Sequence, residues 1–258
     1  MNIVFQHVRV TGALMVREMS TRYGNKPGGY AWALIDPVAH VLLLTLIFQT
    51  ISKVPALGSS FSLFFASGYL PYSFYQSMAA FTSGAIKANR NLLNYPVVSP
   101  FDAVVSRYFV QMLTSALVGC IVMATVILHD GVSLHADLRG VVSAFFLATF
   151  LGFGMGLINS VLFARSPLYE QVYGVITRPL FMLSGVFFLT DSIPHPYRDM
   201  LLYNPIAQVI MAFRKSIYPE YRAFGLDMFY IVIVAVMLIS VGLMLFTTSG
   251  RAIREDRL

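Results

Sequence analysis

Charge is what this sequence has least of. Asp, Glu, Lys and Arg together make up 12% of its 258 residues, where soluble domains average about 25%. A chain of this length with so little polar surface cannot cover a globule in water, which excludes an ordinary soluble domain. Cysteine is as scarce: the single Cys120 lies in an apolar run, so no internal disulfide forms and the redox compartment is not readable. The usual catalytic signatures are missing too. No G-x-x-x-x-G-K-[ST] loop occurs, so the chain does not itself bind ATP in the P-loop manner. There is no H-E-x-x-H, no cysteine pair and no G-x-S-x-G elbow. His7, His40, His129, His135 and His195 are scattered, and the acids are spread thin where a metal-dependent, membrane-embedded sugar transferase would cluster them. No catalytic residue, metal ligand or cofactor of its own is expected of this chain.

What the sequence does have is apolar length. Hydrophobic residues reach 57% and the mean hydropathy is +0.70, and the charges fall between long apolar runs, as they do when lipid is the solvent. The expected fold class is an all-α integral membrane protein with six transmembrane helices, at about 30–51, 62–86, 103–128, 140–163, 172–190 and 225–248. Each approaches the roughly 20 residues that a bilayer core requires, the fifth only marginally. Ser99-Pro100-Phe101-Asp102 is a helix start ahead of the third span, and Ser166-Pro167 does similar work before the fifth.

Residues 1–29 read as a separate unit, an amphipathic interfacial helix and a turn. Met1, Val4, Phe5, Val8, Met15, Val16, Met19 and Tyr23 form an apolar stripe, with Asn2, Gln6, Arg9 and Arg17 elsewhere on the wheel, and the GNKPGG stretch at 24–29 ends it. Arg9, Arg17, Glu18 and Arg22 interrupt any secretory signal. Residues 30–258 then hold the six-helix domain. With both termini cytoplasmic, Arg9, Arg17, Arg22, Lys26, Lys87, Arg90, Arg107, Arg165, Arg178, Arg251, Arg254 and Arg257 lie inside. Lys53, Arg139, Arg198, Arg214, Lys215 and Arg222 lie outside. This imbalance favours the N-in, C-in orientation, and it explains the +6 net charge without nucleic acid.

Four further features stand out. The external segment at about 191–224 is apolar yet broken by Pro194, Pro196, Pro205 and Pro219, and Asn204-Pro205 opens a helix too short to span. It reads as short re-entrant helices covering the outer end of a pathway, or as an interfacial belt. In the fourth span Gly152, Gly154 and Gly156 provide a close-packing surface, with Asn159 placed to bond a neighbour. Asp36 and Arg178 are charges inside spans, each six residues in, so they pair with each other, snorkel, or meet substrate at the inner mouth. Between spans two and three, KANRNLLNYPVVSPFD sets Leu92, Leu93, Tyr95 and Val97 on a surface that faces water, which suggests a docking site for another protein.

The stretches REMSTRYGNKPGGYAWALIDP at 17–37, NRNLLNYPVVSPFDAVVSR at 89–107 and SPLYEQVYGVITRPLFMLSGVFF at 166–188, in that order and spacing, resemble ABC-2 type permeases. Within that superfamily the chain is similar to the inner-membrane subunits of capsular polysaccharide exporters of the Kps, Bex and Ctr type. The resemblance implies a homodimer joined to two copies of a separate ATPase that binds the ATP and Mg. It also implies a lipid-linked polysaccharide substrate, periplasmic and outer-membrane export components, and a multi-pass place in the bacterial inner membrane. Asn89, Arg90, Leu92, Leu93 and Pro96 become ATPase-coupling candidates, assisted by Arg17, Glu18 and Arg22. Tyr30, Trp32, Asp36, Tyr69, Tyr72, Tyr75, Arg178 and Asp191 become candidates for the substrate pathway, the aromatics competing with a plain belt or core role. O-antigen, teichoic-acid and drug exporters of the same superfamily remain alternatives, as do, from other classes, a membrane-embedded lipid-linked sugar transferase and a secondary transporter or channel.

Overall fold

The computed structural model describes residues 3–23, 28–93, 95, 98–131 and 136–254. Every regular element among them is helical: α1 (Ile3–Tyr23), α2 (Ala31–Ile51), α3 (Phe61–Ser83), α4 (Ala85–Leu93), α5 (Pro100–Asp130), α6 (Leu138–Arg165), α7 (Pro167–Met182), α8 (Tyr197–Leu202), α9 (Pro205–Ile217) and α10 (Met228–Arg254), with a 3-10 turn at Thr190–Ser192. Four helices are long and apolar enough to cross a membrane: α2, α5, α6 and the Met228–Ser249 part of α10. With lipid as solvent, helices satisfy every backbone polar group internally, which suits this architecture.

The expected starts and packing surfaces form. Ser99 and Asp102 close a capping box on α5, and the Ser166 hydroxyl accepts from Tyr169 N at the head of α7. The Asn204 side chain does the same for α9. The glycines of α6 serve two neighbours. A Cβ on Gly152 would lie 2.6 Å from Tyr75 O of α3, and one on Gly154 would lie 2.7 Å from Leu238 Cβ of α10. That is why α6 packs closely on both. α3 is the central helix, packed by α6, α5, α2 and α9. It is as long as the spanning helices, but its Ser, Tyr, Gln and Pro residues make it less apolar, and protein rather than lipid covers most of it.

Two expected spans end elsewhere. The second stops at Ser83 and, past Gly84, the chain starts a separate helix, α4, where a loop is expected. The fifth, expected at 172–190, begins at Pro167 because Ser166 caps it there, and ends at Met182. Its 16 residues cover about 24 Å at 1.5 Å each, short of a bilayer core. Beyond it Gly185 takes a left-handed φ of +77°, and the side chain of Arg214 claims the carbonyls that a longer helix would have used. Of the 24–29 break, Gly24 to Pro27 lie outside the described residues; Gly28 and Gly29 form a turn with positive φ.

Candidate functional site

A polar node at one end of the bundle is built by three helices. α1 turns its apolar stripe away from the protein: Phe5, Val8, Val16 and Met19 are exposed, and Leu14 and Glu18 are buried. A helix packed on a water-soluble domain does the reverse; an outward apolar face suits lipid. The inward face carries the charges. Glu18, only 3% exposed, takes Arg107 Nη2 of α5 at 3.1 Å and Asn89 Nδ2 of α4 at 2.9 Å. Arg17 Nη1 donates to Asn89 Oδ1 at 2.6 Å, and Asn89 Nδ2 also reaches Ala85 O at 3.0 Å. Arg107 Nη1 donates to Phe81 O at 2.9 Å, at the end of α3. Arg22 lies over the Phe81 ring at 4.0 Å and donates to Gln111 Oε1 at 2.5 Å. Farther back, His7 Nδ1 meets the Asp102 carboxylate at 2.9 Å, so α1 is tied to α5 at both ends.

A buried carboxylate stripped of its cation is costly, by about 3–5 kcal/mol where such pairs are broken. Arg17, Glu18 and Asn89 are thus held by contacts within the chain. They brace α4 from behind. α4 sets Ala85, Ile86, Asn89 and Leu93 inward, Leu93 in a cluster with Val104, Leu157, Val161 and Phe246. Lys87, Arg90 and Asn91 face outward, Leu92 is half-buried and Tyr95 is 63% exposed. The apolar surface expected at 92–97 is thus smaller, because Leu93 turns into the core; Pro96 and Val97 lie outside the described residues. Lys87 also pairs with Glu170 in the first turn of α7.

The pathway candidates divide. Trp32 and Asp36 of α2 line a cleft of about 280 Å³ with Arg22, Ser73, Ser77 and Gln111. Tyr30 is exposed just before α2. Asp36 accepts from Tyr69 OH at 3.4 Å, and the Tyr69 ring stacks on His40 at 4.9 Å. Tyr72 packs on Phe181 at 4.9 Å, and Tyr75 is buried beside Tyr173. Those two tyrosines fill the junction of α3 with α7, so they are core here. Arg178 is exposed on α7 and makes no ion pair among the described residues. The Asp36–Arg178 pair is therefore not formed, since Asp36 turns to His40 and Tyr69 instead.

At the other end Arg214 of α9 is fully buried. It donates to Gly185 O at 2.7 Å, Val186 O at 2.8 Å and Phe188 O at 2.9 Å, and lies 4.3 Å over Phe64. Gly68 makes room: a Cβ there would stand 2.5 Å from Arg214 Nη2. Asp191 Oδ2 accepts from Phe224 N at 3.3 Å, tying the 3-10 turn to the loop before α10. In that loop burial pushes the Tyr221 phenol up, with Asp191 adding to the shift and Arg214 opposing it. Sequence reading missed Arg107 as a partner, and with it Gln111. Their signal is the i, i+4, i+8 stripe of Arg107, Gln111 and Ser115 in an apolar helix. Arg214 carried no such signal.

Known proteins are similar to this chain over nearly its whole length. The polysialic acid transport protein KpsM of Escherichia coli is 31% identical over 240 residues, covering 93% of each chain. The capsule polysaccharide export inner-membrane protein CtrC of Neisseria meningitidis serogroup B is 24% identical over 249 residues, 96% of this chain and 94% of its own. BexB of Haemophilus influenzae, with the same description, is 22% identical over 252 residues, 96% and 94% of the two chains. Residues 9–218 match the ABC-2 type transporter family, and with a multi-pass array of apolar helices around it, the chain belongs to that family.

Proposed function

We propose that the chain is the permease subunit of an exporter that moves lipid-linked capsular polysaccharide across the bacterial inner membrane, driven by a separate ATPase. The observation that carries the reading is α4. It is a short helix at the expected inner face, held from behind through its own Asn89 by the buried Glu18–Arg107 pair, with Arg90, Asn91, Leu92 and Tyr95 presented outward. A braced, outward-facing element is what a motor needs to push on. The ATPase, in two copies, holds the ATP and Mg; two copies of this chain provide the path, with periplasmic and outer-membrane components beyond it.

In this reading α3 joins the four long apolar helices as a span, α7 makes up the sixth together with the apolar residues that follow it to about 190, and both termini are cytoplasmic. The burial of Arg214 supports that orientation, because it removes one cation from the external loops. The polymer passes between copies, where Trp32 and Asp36 of α2, Tyr30 just before it and Arg178 of α7 are exposed. Asp191 stands at the outer end as a gate or substrate contact. The substrate class rests on the names of the relatives, each matched over nearly the whole chain.

ATP hydrolysis in membranes holding this chain and its partner ATPase tests the reading. Hydrolysis that depends on this chain, and loses that dependence in Leu92→Glu with Tyr95→Glu, supports docking at α4. Hydrolysis indifferent to the chain and to both substitutions rules it out.

A further inference from the structure

α7 is the least anchored of the longer helices. None of its residues is buried, and its inner half rests on α6 and α3 chiefly through tyrosines. Tyr169 OH donates to Asn159 Oδ1 at 3.1 Å, and Tyr173 lies against Phe163 with ring centroids 5.6 Å apart. Its outer end is held firmly, because Arg214 fixes the backbone at Gly185, Val186 and Phe188 just past its last turn. A rod fixed at one end and lightly seated along its length pivots when its free end is moved. That free end carries Glu170, and what touches Glu170 is Lys87 of α4.

The placement of Lys87 is specific. On the nine-residue α4, Asn89 faces the Glu18–Arg107 node and Lys87 faces α7. One helix therefore touches the amphipathic helix on one side and the loosely seated helix on the other. Both partners of the ion pair are about half exposed, 48% and 44%, so the pair adds little to fold stability and is free to break and re-form. We infer that the Lys87–Glu170 pair is a strut that carries displacement of α4 to α7, making Lys87 and Glu170 positioning residues for transport. The inference rests on the proposed docking of an ATPase at α4, and extends it to the helix that carries Arg178.

Charge reversal tests it in the complex of the full chain with its ATPase. Cys120 is the only cysteine, so a Cys120→Ser background accepts one reporter, an environment-sensitive fluorophore at Val175→Cys, an exposed position on α7. The readouts are the ATP-induced fluorescence change and the hydrolysis rate. Lys87→Glu and Glu170→Lys should each cut the fluorescence change at least about fivefold while hydrolysis stays within about twofold, and the Lys87→Glu/Glu170→Lys pair should recover most of the signal. A merely structural role would lower hydrolysis and signal together and show no such recovery. A signal that persists in both single variants overturns the strut. So does a parent complex that hydrolyses ATP with no change at position 175, although α4 docking then stands. If the ATPase never binds, docking fails and the strut with it.

Discussion

Arg107 and Arg214 are both buried, one at the inner end of the bundle and one in the outer helix α9, and they are satisfied in different ways. Arg107 meets a carboxylate from another helix, Glu18 of α1. Arg214 meets no carboxylate among the described residues; three backbone carbonyls beyond α7 surround its guanidinium instead. The first arrangement joins separate elements and depends on a second side chain. The second holds a turn in shape and depends on the backbone itself. An ion pair between helices can be rearranged as they move, whereas a guanidinium seated on a turn cannot be shifted without unmaking the turn. The inner end is thus the adaptable one, the outer end the fixed one.

The largest expected effect follows from breaking the outer arrangement. Arg214→Ala leaves three buried carbonyls without donors and a cavity beside Phe64, and should cost about 4 kcal/mol or more. Thermal unfolding in detergent measures it, and Arg214→Lys should recover only part, since an ammonium lacks the planar fork. Next comes the inner pair. Glu18→Gln should cost about 3 kcal/mol by stranding Arg107, whereas Glu18→Leu with Arg107→Met should cost clearly less than the sum of its single changes. No second-site partner change should rescue Arg214, and that contrast sharpens the comparison. A middling effect is expected at Gly156, where a Cβ would lie 2.6 Å from Thr82 Cβ. Gly156→Val should destabilise by about 1–3 kcal/mol through overpacking against α3. Smallest is the exposed pair: Lys87→Gln or Glu170→Gln should change stability by about 0.5 kcal/mol or less, read on the same melting curves.

Much of the fold was legible where a local signal sets it. Ser99 with Asp102, Ser166-Pro167 and Asn204-Pro205 each start a helix where the capping rules place it. Gly152, Gly154 and Gly156 pack as small residues do, and Asn159 finds a neighbour in Tyr169. The end of α7 was not legible, because an arginine about thirty residues away determines it. Likewise Leu93 is an apolar residue in a polar stretch, and only the break at Gly84, which starts α4, turns it inward. Arg17, Glu18 and Asn89 stood among the coupling candidates with Arg90 and Leu92, but their contacts with one another depend on α1 lying against α4 and α5, which no local signal in the sequence announces.

The division of α4 between a braced back and a docking front is tested most directly by co-purifying the partner ATPase with two kinds of variant while recording melting temperature. Asn91→Glu with Tyr95→Glu, on the front, should release the ATPase and leave the melting temperature within about 2 °C of the parent. Asn89→Leu, at the back, should lower the melting temperature first and lose the ATPase only as a consequence. If the front variant keeps the ATPase at the parent's stoichiometry, α4 is not the docking surface and the account fails.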